Sequence, residues 1–270
     1  MNPRKHVDDQ GEESRTQMDV LCTSDASRAE SLTARIIAKA LRARSDLVLG
    51  LATGRTMKRV YAHLVRLHQQ DGLDFSRCRT FNLDEYIGLP SGHPGSYRRY
   101  MDEHLFRHIN IQAGRSHVPD GMAQDVAREC QRYETLIQEA GGIGLQLLGL
   151  GMTGHIGFNE PGSPLDSRTH EVQLTELTRH ENAGPFGGEA SAVPARAITM
   201  GLGTILEARR CLLLVTGVGK ASVLARVVEG PVSPMIPGSV LQRHSDCQVV
   251  ADRAASRDLG MGSLDRPGNS

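Results

Sequence analysis

Short apolar runs alternate with amphipathic stretches along most of the chain. The runs at 47–52, 145–150 and 211–216 are almost continuously apolar and only six residues long, which predicts strands buried on both faces. Weaker strand signals lie at 18–22, 79–83, 171–174, 197–200 and 247–251. Between them, apolar residues recur at helical spacing over 24–44, where Ser24 and Asp25 are of the N-capping type, and over 57–69, 97–108, 123–140 and 220–228. Buried strands separated by helices predict an α/β fold: a single doubly wound, mostly parallel sheet with helices on both faces, Rossmann-like, joined by right-handed crossovers. In such sheets ligands bind beyond the carboxyl ends of the strands. Residues 53–56, Asp84 with Glu85, 151–160 and 217–220 each follow an apolar run, so all four are expected to face one cleft.

Polar, aperiodic sequence at 1–17 and 256–270 reads as two disordered tails flanking one domain over 18–255. The segment 174–193, polar and glycine-rich, is the internal candidate for a lid. Charge narrows the partners. Lysine plus arginine equals aspartate plus glutamate at 31 each, so no global field favours nucleic acid or an anionic membrane, and a small anionic ligand fits better. Five scattered cysteines without a C-x-x-C pair imply neither a disulfide framework nor a zinc site, and point to a reducing, cytoplasmic setting. No signal peptide or long apolar span is expected. The state of association is open, a homo-oligomer included.

The chemistry concentrates at 151–160, Gly-Met-Thr-Gly-His-Ile-Gly-Phe-Asn-Glu. His155 can move protons near neutral pH, Glu160 can orient it or raise its basicity, and the glycines let substrate come close to the backbone. Gly149, Gly151 and Gly154 also spell G-x-G-x-x-G, but the prolines and glycines that follow will not make the helix a dinucleotide site needs. Gly217-Val-Gly-Lys220 lacks the spacing and the Ser or Thr of a P-loop. With neither H-E-x-x-H spacing nor a nearby cysteine, His155 and Glu160 do not read as metal ligands, and no metal or cofactor is expected. Thr53, Gly54, Arg55 and Thr56 combine hydroxyls, a flexible turn, a guanidinium and a helix start suited to phosphate, and read equally as an ordinary helix cap. Lys220 can add a point charge to phosphate or be a solvated first-turn lysine. Of Asp84 and Glu85, alternation along a strand lets one reach the cleft, where a carboxylate can act as a general base.

Four segments in order, 81–90 (Phe-Asn-Leu-Asp-Glu-Tyr-Ile-Gly-Leu-Pro), 93–97 (His-Pro-Gly-Ser-Tyr), 154–161 (Gly-His-Ile-Gly-Phe-Asn-Glu-Pro) and 198–204 (Ile-Thr-Met-Gly-Leu-Gly-Thr), resemble the glucosamine-6-phosphate deaminases of the glucosamine/galactosamine-6-phosphate isomerase family. The resemblance runs from about residue 18 to 254. It implies a metal-free aldose-to-ketose isomerisation of an amino-sugar phosphate with loss of ammonia. Asp84 would then carry a proton between C2 and C1, His155 would assist ring opening, Glu160 would support His155, and residues 53–56 with Lys220 would hold phosphate. Three positions depart from the resembled pattern. Thr153 stands where an acid or its amide is common, Arg55 where glycine or serine is common, and Gly184 where the lid carries a phosphate-binding arginine. A 6-phosphogluconolactonase-like hydrolase and a non-catalytic sugar-phosphate-binding protein are the alternatives.

Overall fold

A computed structural model of the chain describes residues 18–260. The tail expected at 1–17, and residues 261–270 of the one expected at 256–270, lie outside the described residues. In chain order the elements are β1 (Asp19–Thr23), α1 (Ala26–Ala43), β2 (Val48–Leu51), α2 (Arg55–Asp71), β3 (Arg79–Asn82), β4 (Asp84–Tyr86), α3 (Tyr97–His104), β5 (Ser116–His117), α4 (Val126–Glu139), β6 (Leu145–Gly149), β7 (His170–Gln173), α5 (Glu176–Glu181), β8 (Arg196–Thr199), α6 (Leu202–Leu206), β9 (Cys211–Val215), α7 (Ala221–Val228) and β10 (Cys247–Asp252).

Seven strands form one parallel sheet in the order β1-β10-β9-β6-β2-β3-β5. The chain crosses from β2 outward to β3 and β5, then returns to lay β6 on the other side of β2 and continues to β9 and β10. That reversal opens a crevice at the carboxyl ends of β2 and β6. α1 packs against α2, and right-handed crossovers running the opposite way along the sheet put α4 and α7 on the opposite face. The core is made by the predicted apolar runs: Leu147, Leu148 and Leu212 to Val215 are all buried. Among the described residues no helix is long and apolar enough to cross a membrane.

The helix starts follow local chemistry. Asp25 caps α1 by accepting from the Arg28 N–H at 2.9 Å, and Asp125 caps α4 by accepting from Arg128 N–H at 3.0 Å. The helix expected over 97–108 stops at His104, where Leu105 leaves helical geometry before a single 3-10 turn at Phe106–His108. α2 starts at Arg55, two residues earlier than its apolar periodicity predicts, because Gly54, at φ 119°, makes the turn that launches it.

A second sheet was not expected. β4, β8 and β7 form three antiparallel strands in that order, with Asp84 and His170 each opposite Thr199. Its own small core joins Tyr86, Phe158, Leu174, Ala183, Val193 and Ala197. The segment 174–193 therefore does not hang free: its ends and centre are packed, and Phe186 sits so close to Gly95 that a Cβ there would lie 2.3 Å from the ring. The C-terminal tail expected from Ser256 is also packed as far as Gly260. Ser256 donates to the Asp252 carbonyl at 3.0 Å, Leu259 is buried, and Gly260 N–H donates to Glu229 at 2.7 Å.

Candidate active site

β6 ends at Gly149 between β2 and β9, and the loop that follows carries Thr153, His155 and Glu160. No helix opens there. The segment turns back on itself through Gly151 N–H to the His155 carbonyl (2.9 Å) and an Ile156–Asn159 bridge. Gly151 proves essential for a different reason from the one its sequence suggests. A Cβ at this position would lie 2.0 Å from His155 Nε2, so the missing side chain makes room for the protein's own imidazole, packed flat on its backbone.

His155 is largely buried. Its Nδ1 lies 2.8 Å from Thr153 Oγ1 and 3.7 Å from Glu160 Oε2. Burial pushes its pKa below the ordinary imidazole value, and nearby Lys220 pushes the same way, against the opposing charges of Glu160 and Glu181. Glu160 is itself buried. Its Oε1 accepts from the hydroxyls of Thr175 (3.2 Å) and Thr178, both from the 174–193 flap, while Oε2 has no hydrogen-bond partner among the described residues and is the oxygen nearest the imidazole. Neither threonine was singled out in the sequence.

Asp84 and Glu85, adjacent in β4, are both buried and have opposite surroundings. Glu85 turns to the start of α3, accepting from Ser96 Oγ (2.7 Å), Tyr97 N–H (3.1 Å), Arg98 N–H (3.0 Å) and its neighbour Tyr86 N–H (2.9 Å). It is a helix-terminus anchor. Asp84 points the other way, to the His155 loop: a Cβ on Gly157 would lie 3.5 Å from Asp84 Oδ2 and 3.0 Å from Thr199 Oγ1. Gly157 has φ 57°, so its conformation disfavours a side chain and the closeness of Thr199 adds to that. Burial, reinforced by the charge of Glu85, raises the Asp84 carboxyl to about 8. A carboxylate in so dry a place is a far stronger base than an exposed one.

The cationic side of the cleft lies at the ends of β2 and β9. Thr53 and Gly54 lead into α2, whose first residue is Arg55, with Thr56 next; no side chain caps this helix, so its first N–H groups keep their capacity to donate. Tyr100 donates to the Gly54 carbonyl at 2.7 Å and fixes the loop. Lys220 follows Gly217, which is held by its N–H donating to both oxygens of Asp252. Burial lowers the Lys220 pKa; Glu181 opposes that shift and Arg55 adds to it, which places both charges within reach of the lysine. The four loops expected at one cleft thus converge there. Gly184 sits in a 3-10 turn of the flap and brings no charge. The flap's Arg179 donates to the carbonyls of Val193 (3.1 Å) and Ser191 (3.0 Å), and Arg196 pairs with Glu171 (3.0 Å). Both are committed elsewhere.

Residues 23–250 match the model of the family described as glucosamine-6-phosphate isomerases/6-phosphogluconolactonase. The chain belongs to that family. Among curated relatives it is similar to glucosamine-6-phosphate deaminase 2 of Bacillus subtilis strain 168, 44% identical over 92% of this chain and 100% of the relative. It is also similar to glucosamine-6-phosphate deaminase of Geobacillus sp. strain WCH70, 49% identical over 82% and 88%. A solved monomeric glucosamine-6-phosphate deaminase superposes with a TM-score of 0.87 at 44% identity, over 89% of this chain and all of that one. The 6-phosphogluconolactonase of Trypanosoma cruzi shares the fold, with a TM-score of 0.74 at 19% identity over 91% and 98%.

Proposed function

We infer that the chain is a glucosamine-6-phosphate deaminase, converting glucosamine 6-phosphate and water into fructose 6-phosphate and ammonia. The observation that carries the reading is Asp84: a buried carboxyl with no hydrogen-bond partner among the described residues, set against Gly157 of the loop that presents His155 and Glu160. Relatives that bear this activity over nine-tenths of the chain support the choice of substrate.

The residues divide the work by chemistry. His155 moves the proton of the C1 hydroxyl to the ring oxygen and so opens the sugar; a neutral imidazole, which burial favours here, is the form that can accept it. Glu160 and Thr153 orient the ring through Nδ1, leaving Nε2 for the substrate. Ionised Asp84 takes the C2 proton, made acidic by the open-chain carbonyl, and returns it to C1 through an enolamine. Water then displaces ammonia from C2. Thr53, Gly54, Arg55, Thr56 and Lys220 hold the phosphate, with Arg55 supplying the planar, bidentate cation that residue 184 does not. A small-molecule substrate, no nucleic acid or membrane, and a cytoplasmic setting complete the reading.

Release of ammonia from glucosamine 6-phosphate by the purified protein, with equimolar fructose 6-phosphate, is the expected result. Hydrolysis of a phosphogluconolactone without ammonia release would reassign it to the other activity named in the family description, and binding without turnover would make it a sugar-phosphate receptor.

A further inference from the structure

Glu160 is held from outside its own loop. The carboxylate is buried, and a buried charge without donors is costly. Its two donors are hydroxyls of the flap: Thr178, 1% exposed, and Thr175, which is also the residue that caps α5 by accepting from Thr178 N–H at 3.2 Å. Each hydroxyl has one proton. That of Thr178 goes to Glu160 Oε1, and that of Thr175 is shared between the same oxygen and Thr178 Oγ1 at 3.1 Å. Both bonds reach the same oxygen. Oε2 is left bare, 3.7 Å from His155 Nδ1. A carboxylate has one free torsion that would swing Oε2 away from the ring, and the two hydroxyls remove it.

Resting on the deaminase reading, we propose that Thr178, supported by Thr175, is a positioning residue: it locks Glu160 against His155, so that docking of the flap assembles the catalytic pair. The hydroxyls that start α5 are the ones that orient the carboxylate, so the helix cannot leave without releasing Glu160. The flap is tied together within itself and seated on the domain. Arg179 ties α5 to Ser191 and Val193 within the same segment, and Phe186 seats it over Gly95.

The charged groups around His155 are Glu160 on its own loop, Glu181 on α5 and Lys220 beyond β9. Of these Glu160 opposes most the downward pull of burial on the imidazole, so a misoriented Glu160 lets the imidazole pKa fall further. Thr178→Val keeps the shape and removes the donor. It is expected to lower the His155 pKa by roughly half to one unit, followed by NMR of the imidazole against a His155→Gln reference. It is also expected to lower kcat by roughly tenfold with little change in KM, as for a misplaced catalytic group. Thr178→Ser should restore both. Where Thr178→Val does not fold, Thr178→Cys keeps the volume with a weaker donor and carries the same readings. An imidazole that titrates as in the parent overturns the proposal, whatever the activity. A shifted titration with unchanged turnover upholds the positioning contact and removes His155 from the reaction, so failure of the proposal and failure of the deaminase reading are separable.

Discussion

The two sheets of this molecule treat burial in opposite ways. The seven-stranded parallel sheet buries leucine and valine, with Leu147, Leu148 and Leu212 to Val215 almost fully out of water. The three-stranded antiparallel sheet buries Asp84 and Glu85 side by side in a strand of three residues. Large apolar areas removed from water stabilise the first, at about 25 cal/mol per Å². In the second, Glu85 is compensated by four donors and Asp84 by none among the described residues, so the small sheet holds one carboxyl in a state that opposes folding. The large sheet is a frame, and the small one is where the stability of the frame keeps a carboxyl dry.

Asp84 gives the sharpest break. Asp84→Asn retains the shape and removes the proton acceptor, so turnover should fall by roughly 10²-fold or more while sugar-phosphate binding largely persists. Exchange of the C2 proton with solvent deuterium should be lost in parallel; undiminished exchange would exclude Asp84 as the base. Stability should move the other way. With its folded pKa raised to about 8, the carboxyl keeps its proton over the range from about pH 4, where the unfolded chain releases it, to about pH 8. Stability is therefore lost as pH rises through that window, and Asn, which cannot ionise, should not lose it. At pH 8 the variant should melt higher than the parent, with the gap closing toward pH 4. In the parent, kcat/KM should climb toward pH 8 as Asp84 ionises, and a flat profile from pH 5 to 8 would contradict the raised pKa.

Leu213→Ala tests the other side. Leu213 is fully buried in β9, and truncation there should cost about 2–5 kcal/mol in denaturant unfolding. Activity per folded molecule should hardly change, because the frame touches no reacting atom. An equal loss of kcat in fully folded protein would show that the two sheets are not separable in this way.

Much of this contrast could be read from the sequence, and the part that could not has a physical cause. Parallel strands such as β9 announce themselves because both faces are covered and the run is apolar throughout. β4 and β5 are three and two residues long and include Asp84, Glu85, Ser116 and His117, so neither length nor pattern marks them. Glycine punctuation marked the loop that carries His155 and Glu160, and the strand-end rule marked the segments of Arg55 and Lys220. Thr175 and Thr178 were invisible because their partner lies 15 and 18 residues away, across a turn that no periodicity encodes. Gly151 signals the absence of a side chain, but not that the space it frees is filled by the imidazole of His155.

At the ends of β2 and β9 lie the cations proposed to hold phosphate, and one of them is expected to decide affinity. Arg55 begins α2 within range of Lys220, while Arg179 and Arg196 are bonded elsewhere. Arg55→Gly should raise KM for the sugar phosphate by roughly tenfold to a hundredfold with kcat nearly unchanged, since a charge-assisted bond contributes on the order of 1.5 to 3 kcal/mol. If a structure with bound sugar phosphate shows Arg55 turned to solvent and another arginine on the phosphate, its role falls.

The smallest effect is expected at Thr153, where the small-sheet strategy of burying charge can be extended by one residue. Thr153 Oγ1 lies 2.8 Å from His155 Nδ1, a neutral contact that fixes the ring without changing its charge. Thr153→Asp would place a second carboxylate beside Glu160 at the same nitrogen. Two negative charges repel, and an imidazolium between them relieves both, so the His155 pKa should rise by about one unit, equivalent to about 1.4 kcal/mol. Burial still pulls it down, which limits the gain. The lower part of the acid limb of the pH–rate profile, below the ionisation of Asp84, reports His155 and should move up correspondingly, with turnover at its optimum changing less than about tenfold. Thr153→Ala, which removes the contact without adding charge, should leave that limb nearly in place and lower kcat mildly. An unmoved limb in Thr153→Asp would mean that residue 153 positions the loop and does not act on the imidazole.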